Sequence, residues 1–266
     1  MAILTVSREF MSGAEEIAKD VASELGYEYI DKDVILEHIK TAGKRWEKVG
    51  EDFDESAPSI WESFDWAYRG FIALVEAEIY ENACKNNVVI MGRGADILLN
   101  NVVHVLKVGI AAPIELRVKN VMSMEHIDKQ MAEWLVVKAD KSRAGYVQRN
   151  YGKKWYDAKR FDILLNMGTQ SKEQAKQAII VALHDKDLLF TDEVKKDLEQ
   201  QALAARIEAK VLTHPGMHVP TFEVIHIGDE IILRGVVSVK EHHLIEDLAK
   251  DLAGPVPIKS EFHYRG

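Results

Sequence analysis

The chain has 266 residues, 47% hydrophobic and 29% charged, which excludes disorder and a collagen-like repeat and suffices for one large domain or two modest ones. Its 34 basic and 43 acidic residues give a net charge of −9, a field that disfavours general affinity for nucleic acid or anionic lipid. No apolar run is long enough for a membrane span, no signal peptide is expected, and the single cysteine, Cys84, excludes an internal disulfide, so a cytoplasmic location is expected.

In chain order, Ile3-Leu4-Thr5-Val6 reads as a buried strand. A turn from Arg8 to Gly13 leads into a helix over 14–25, with Ile17, Ala18, Val21 and Leu25 on one stripe and Gly26 as its stop. Tyr27 to Ile30 predicts a second strand, and residues 33–41 and 60–85 predict helices, with Pro58 and an acidic stretch between them. Val88 to Met91 is a strand closed by Gly92-Arg93-Gly94, and Val102 to Ile110 is another. Pro113 then opens a helix. Helices over 125–140 and 140–151, a strand over 163–165 and a helix over 171–183 follow. Strands alternating with helices predict an α/β domain over residues 1–185, a doubly wound parallel sheet.

After residue 185 the rhythm changes. A helix over 192–212 starts at Thr191, a good N-cap, and a Pro/Gly/His loop covers 213–220. Strands from Phe222 to Ile227 and from Glu230 to Val237 flank the Gly228-Asp229 turn. A helix over 239–252 stops at Gly254-Pro255, and a strand over 258–264 follows. That αββαβ order predicts a small α+β domain over residues 186–266.

Charge is distributed unevenly. Residues 45–65 hold seven acids, Glu47, Glu51, Asp52, Asp54, Glu55, Glu62 and Asp65, against Arg45 and Lys48. Residues 138–160 hold eight bases against Asp140 and Asp157. A basic island in an acidic protein points to a small phosphorylated ligand; a solvated helix face is the alternative.

The turn Ser7-Arg8-Glu9-Phe10-Met11-Ser12-Gly13-Ala14-Glu15-Glu16 joins a strand to a helix N-terminus, where backbone N–H groups and the helix dipole favour an anion. It has one glycine, no lysine, and glutamates where a phosphate loop carries a cation and a hydroxyl. Ser12-Gly13-Ala14-Glu15 also matches a capping box, in which Glu15 would occupy the place of a phosphate. On these residues alone the capping box is the stronger reading. Elsewhere, Pro215-Gly216 prevents the helix that would present His214 and His218 to a metal, and His242 and His243 are expected at the surface. Cys84 is expected to be a buried structural thiol. Trp46, Trp61, Trp66, Trp134 and Trp155 are expected to pack in the core or between helices, with Trp155 alternatively covering a nucleotide base.

Taken together, Ser7-Arg8-Glu9-Phe10-x-Ser12-Gly13, Glu24-Leu25-Gly26-Tyr27, Tyr29-Ile30-Asp31 and Val88 to Gly94 resemble the cytidylate-kinase-like proteins. Ala111 to Arg117, Asp140-x-x-Arg143-Ala144-x-Tyr146, Tyr151-Gly152-x-x-Trp155 and Phe161 to Asn166 extend the resemblance to about residue 183. The resemblance implies a fold of P-loop kinase type with a lid, and an ATP-dependent nucleoside monophosphate kinase acting on a pyrimidine nucleotide with ATP and Mg²⁺. It implies that Ser12, Gly13, Ala14 and Glu16 line the ATP phosphates, with Arg8 supplying part of the missing lysine's charge. Asp31 and Arg93 would face the acceptor, and Arg117, Arg143 and Arg149 would close over the transferring group.

Met11 and Ala14 stand where that family has glycines, Glu15 where it has arginine, Gly94 where cytidylate kinases have aspartate, and Asn120 in place of a second lid arginine. A nucleotide sensor without turnover, or a scaffold whose phosphate site the capping box closes, are the alternatives. Residues 186–266 resemble the BON domain through the hairpin at Gly228, the stretch Arg234-Gly235-Val236-Val237-Ser238 and the helix running into Gly254. That resemblance implies a module that binds a small ligand, a lipid or a partner protein.

Overall fold

Ile3–Arg8 forms β1, buried over its first five residues, at the centre of a five-stranded sheet in a computed structural model that describes residues 1–43, 45, 46, 48, 49, 65–219 and 221–265. There follow α1 (Ala14–Leu25), β2 (Glu28–Ile30), α2 (Lys32–Lys40), α3 (Trp66–Cys84), β3 (Val88–Met91), α4 (Ala95–Leu98), β4 (Val105–Ala111) and α5 (Ile114–Glu125). Next come α6 (Lys129–Tyr151), a 3₁₀ turn (Ala158–Arg160), β5 (Ile163–Asn166), α7 (Lys172–Asp187) and α8 (Asp192–Leu212). The chain continues with β6 (Glu223–Ile227), β7 (Glu230–Val237), α9 (Val239–Ala253) and β8 (Ile258–Tyr264). It divides into two compact units: residues 1–35 with 85–190, and the described residues between 36 and 84 with 191–265. Helix α3, although it precedes residue 185, groups with the second unit.

In the first unit the strand order is β2-β3-β1-β4-β5, all parallel, with Thr5 opposite Ile90 on one side and Lys107 on the other. β1 and β3 are apolar because a parallel sheet is covered on both faces. Ile17 and Val21 of α1 pack with Ile179 and Leu183 of α7 on Leu4, Val6, Val89 and Val108. α1 ends at Gly26, which takes the left-handed conformation (φ 67°) expected of a helix stop. α7 begins with a capping box between Ser171 and Gln174.

The helices expected over 125–140 and 140–151 are one continuous helix, α6. Asp128 caps it by accepting from Met131 N, no proline interrupts it, and Gly145 is tolerated in its interior. Trp134 departs from the expected core role: it is 53% exposed on α6, with Lys138 Nζ 4.7 Å above its ring. Glu47, Glu51, Asp52, Asp54, Glu55, Glu62, Pro58 and Trp61 lie outside the described residues.

In the second unit β6 and β7 pair antiparallel across Gly228, and β7 pairs parallel with β8 after the α9 crossover, the expected αββαβ order. Phe222, Ile231, Leu233 and Val237 meet Ile207 and Val211 of α8, Ile245 and Ala249 of α9, and Ala73 and Ala77 of α3. A Cβ on Gly70 would collide with the buried Trp46 ring, so that glycine allows the indole to lie against α3. Cys84 is half-buried, and burial, then Glu199 and Glu81, push its thiol up to about 11. His214 Nδ1 accepts from Gly216 N at 3.1 Å, and His218 packs on Trp66. His242 is not the surface side chain expected: it is half-buried, 2.9 Å from Glu246 and stacked on the exposed His243. Among the described residues no helix is long and apolar enough to cross a membrane.

Glu208 of α8 accepts from Val224 N at 3.3 Å, and burial pushes its carboxyl up to about 7. Its folded pKa lies above the ordinary value of 4.5, so the stability it contributes is present below about pH 4.5 and lost as pH rises through about 7. Glu208→Gln keeps the acceptor and removes the charge. Urea unfolding is expected to show the variant more stable than the parent above pH 7 by about 1–3 kcal/mol, and equal to it near pH 4.

Candidate functional site

A cavity of about 570 Å³ opens at the carboxyl ends of β1 and β3. It lies where the connections that leave the neighbouring strands β1 and β3 run in opposite directions, to β2 and to β4, the usual ligand position in an open parallel sheet. Ser7 and Arg8 come from β1; Gly92, Arg93 and Gly94 follow β3; Lys138, Arg143 and Tyr146 come from α6; Phe10, Glu15, Lys32 and Trp155 also line it. A Cβ on Gly92 (φ 77°) would meet Arg8 Nη1, so a glycine there leaves the guanidinium its present place across the strand end. Gly94 (φ 78°) likewise leaves room for the Tyr151 ring, whose hydroxyl donates to Arg93 O at 3.0 Å.

Three guanidiniums therefore meet in one cavity. Arg143 Nη1 donates to Arg8 O at 3.3 Å and lies 5.4 Å from the Phe10 ring, and Arg93 lies 5.7 Å from the Tyr146 ring. Burial first, then the charge of Arg8 and, less strongly, of Arg93, push the Arg143 pKa down. Burial and the charge of Arg93 push Arg8 down in the same way. A guanidinium keeps its proton under ordinary conditions, so this repulsion is an attraction for anions.

The turn beside them does not form the expected capping box. Gly13, at φ 84°, is the N-cap of α1 with no side-chain cap, and Glu15 instead pairs with Lys19 at 2.6 Å. The left-handed Gly13 starts the helix one residue later than the Ser12 cap requires, so Glu15 falls short of the reciprocal position. Ser12 Oγ is buried with no hydrogen-bond partner among the described residues. The closing group that the scaffold alternative requires is therefore missing, and a buried, unpartnered hydroxyl immediately precedes the N-cap of α1, whose first-turn N–H groups no side chain caps. Met11 takes a left-handed φ of 59°, and Asn120 Nδ2 donates to its carbonyl at 3.0 Å.

The other expected site residues are placed differently. Arg117 is buried: its Nε donates to Ala112 O at 3.0 Å, and its Nη1 pairs with Asp140 at 2.6 Å, with Glu9 at 3.5 Å from Nε. Asp140 also accepts from Phe10 N at 3.0 Å, so Arg117 orders the turn and does not line the cavity. Asp31 caps α2 by accepting from Asp33 N and Val34 N, and Arg149 is exposed on α6. Neither borders the cavity. Ala14 is buried in the core under α1, and Glu16 is exposed and pairs with Lys172. Sequence reasoning missed Asp96, which is buried, accepts from Ser7 Oγ at 3.0 Å and pairs with Arg160. A carboxylate two residues after Gly94, facing a basic island, was its only signal.

Asp140→Ala would leave the buried Arg117 guanidinium without its nearest carboxylate. Denaturant unfolding is expected to show a loss of about 3 kcal/mol, and a loss below about 1 kcal/mol would contradict the role given to the pair.

Residues 3–169 match the model of the Cytidylate kinase-like family. No curated protein matches the chain. An uncharacterized protein from Eubacterium ventriosum ATCC 27560 is similar over 69% of this chain and 99% of its own, at 22% identity and a TM-score of 0.55, a likeness of fold. Shikimate kinase from Bacteroides thetaiotaomicron aligns over 71% of this chain and 98% of its own, at 14% identity and a TM-score of 0.43. TT1252 from Thermus thermophilus aligns over 68% and 97%, at 17% identity and a TM-score of 0.42. The family match spans most of the chain and takes in the turn, the arginine-lined cavity and the five-stranded sheet, and on that ground the chain belongs to the cytidylate kinase-like family.

Proposed function

We propose that the first unit is an ATP-dependent nucleoside monophosphate kinase that transfers a phosphoryl group to a pyrimidine nucleotide such as CMP. The observation that carries this reading is the convergence of Arg8, Arg93 and Arg143 on one cavity, with a buried, unpartnered Ser12 hydroxyl in the turn that follows β1. Phosphoryl transfer needs positioning and charge neutralisation more than covalent help. In this reading the N–H groups of Gly13 to Glu16 and Ser12 Oγ bind the donor phosphates. Arg93 grips the acceptor phosphate through a charge-assisted fork, and Arg8 and Arg143 lie between the two nucleotides. An acceptor phosphate oxygen bonds to the γ-phosphorus as the bond to the bridging oxygen breaks and ADP leaves. Mg²⁺, carried by the donor phosphates, would neutralise charge there, and Glu15 and Asp96 are the carboxylates that line the cavity.

α5 and α6 serve as the lid, which the Arg117–Asp140 pair ties to the turn. The Tyr146 and Trp155 rings offer faces for the base. Arg117 and Asp31 act by position, from outside the cavity, and Arg149 reaches a nucleotide only if α6 moves. The second unit, with its αββαβ order, reads as a BON-like module. Its 10 bases against 14 acids over residues 186–266 favour a small ligand or partner protein over an anionic lipid surface. A cytoplasmic location accords with the lone Cys84.

A second reading, nucleotide binding without turnover, is favoured by Glu15 in the cavity and by Met11 in a conformation suited to glycine. Mg-ATP and CMP titrated into the purified protein, followed by coupled ADP release, separate the two. CMP-dependent turnover is expected, with Arg93→Ala lowering kcat/KM for CMP about 10- to 150-fold. Saturable binding of both nucleotides without ADP release would favour the sensor, and binding of neither would overturn both readings.

A further inference from the structure

The turn after β1 contains no lysine, yet a lysine reaches it from elsewhere in the fold. Lys172 is the first residue of α7, immediately after the Ser171 cap. Its Cε lies 3.8 Å from the position a Gly13 Cβ would occupy, and its Nζ pairs with Glu16 in the first turn of α1. The aliphatic stem thus passes over Gly13, and the ammonium lies at the end of α1 where N–H groups point outward. The buried Ser12 Oγ, without a partner among the described residues, lies one residue from Gly13 and is an independent sign of an anion site there.

Stability does not account for this arrangement. The side chains of Lys172 and Glu16 are 55% and 66% exposed, and an exposed pair adds little to folding. Lys172 also stands at the N-terminal position of its own helix, where the macrodipole favours acids and disfavours a cation. A residue that breaks a local preference without a folding gain is a candidate for function.

We propose that Lys172 is the cation of the donor phosphate site, contributed by α7 in place of the lysine the turn lacks. Glu16 holds the ammonium at the end of α1, and a bound polyphosphate takes it over as a charge-assisted partner. The pairing of Glu16 then has a purpose: a glutamate that would repel phosphate instead keeps a lysine beside it. This inference rests on the reading of the turn as the donor site.

Calorimetric titration of the full chain with sodium tripolyphosphate, and separately with Mg-ATP, tests it on the parent, Lys172→Ala, Lys172→Arg and Glu16→Gln. Lys172→Ala is expected to weaken tripolyphosphate tenfold or more, Lys172→Arg to stay within about threefold of the parent, and Glu16→Gln to tighten binding a few-fold by releasing the lysine. In turnover, Lys172→Ala is expected to raise KM for ATP and leave KM for CMP unchanged. Equal weakening by Lys172→Ala and Glu16→Gln would mean that the pair only shapes the turn, and would overturn the proposal. Unchanged affinity in Lys172→Ala would overturn it while leaving the donor site standing. A parent protein that binds neither tripolyphosphate nor Mg-ATP would overturn the donor-site reading together with the role of Lys172.

Discussion

The pairing of Arg117 with Asp140 holds the turn between β1 and α1 in shape. A buried guanidinium must find acceptors for its donors, and Arg117 finds Ala112 O, Asp140 and the carboxylate of Glu9. Asp140 uses its second oxygen on Phe10 N, and Asn120 takes Met11 O, so successive peptide groups of the turn are held by side chains of α5 and α6. That network stabilises a left-handed Met11, which is unfavourable for a residue with a Cβ. With the turn fixed, Gly13 can start α1 with its first N–H groups uncapped by side chains.

Electrostatics in the cavity follow from the same placement. Gly92 admits the Arg8 guanidinium, α6 brings Arg143 to the Arg8 carbonyl, and Arg93 follows directly from β3. Burial first, and then the neighbouring guanidiniums, push Arg8 and Arg143 down. Such a cluster is unfavourable for the protein alone and favourable around phosphate. In a chain of net charge −9 it is also the local field that lets a polyanion approach.

The strands and most helices were legible because β-branched runs and amphipathic stripes are local signals. The helix over 192–212 and the strands over 230–237 and 258–264 coincide with α8, β7 and β8. The break expected near residue 140 does not occur, since a polar stretch in the middle of a helix resembles a boundary when its packing partners are unknown. Ser12 to Glu15 was ambiguous for a sharper reason. The pattern of a capping box and that of a phosphate turn share Ser-Gly, and only the backbone angle at Gly13 separates them. Among the arginines, Arg93 and Arg143 were legible from a Gly-flanked strand end and a basic island. The burial of Arg117 and the Asp96–Arg160 pair were not, because they join residues 23 and 64 positions apart.

The most direct test of the account is a crystal structure of the protein with CMP and a Mg²⁺-bound, non-hydrolysable ATP analogue. The account predicts the triphosphate on the N–H groups of Gly13 to Glu16 and on Ser12 Oγ, with the CMP phosphate on Arg93 and with Arg8 and Arg143 between the two. Phosphates bound away from these groups, or a cavity that takes up neither nucleotide, would contradict it.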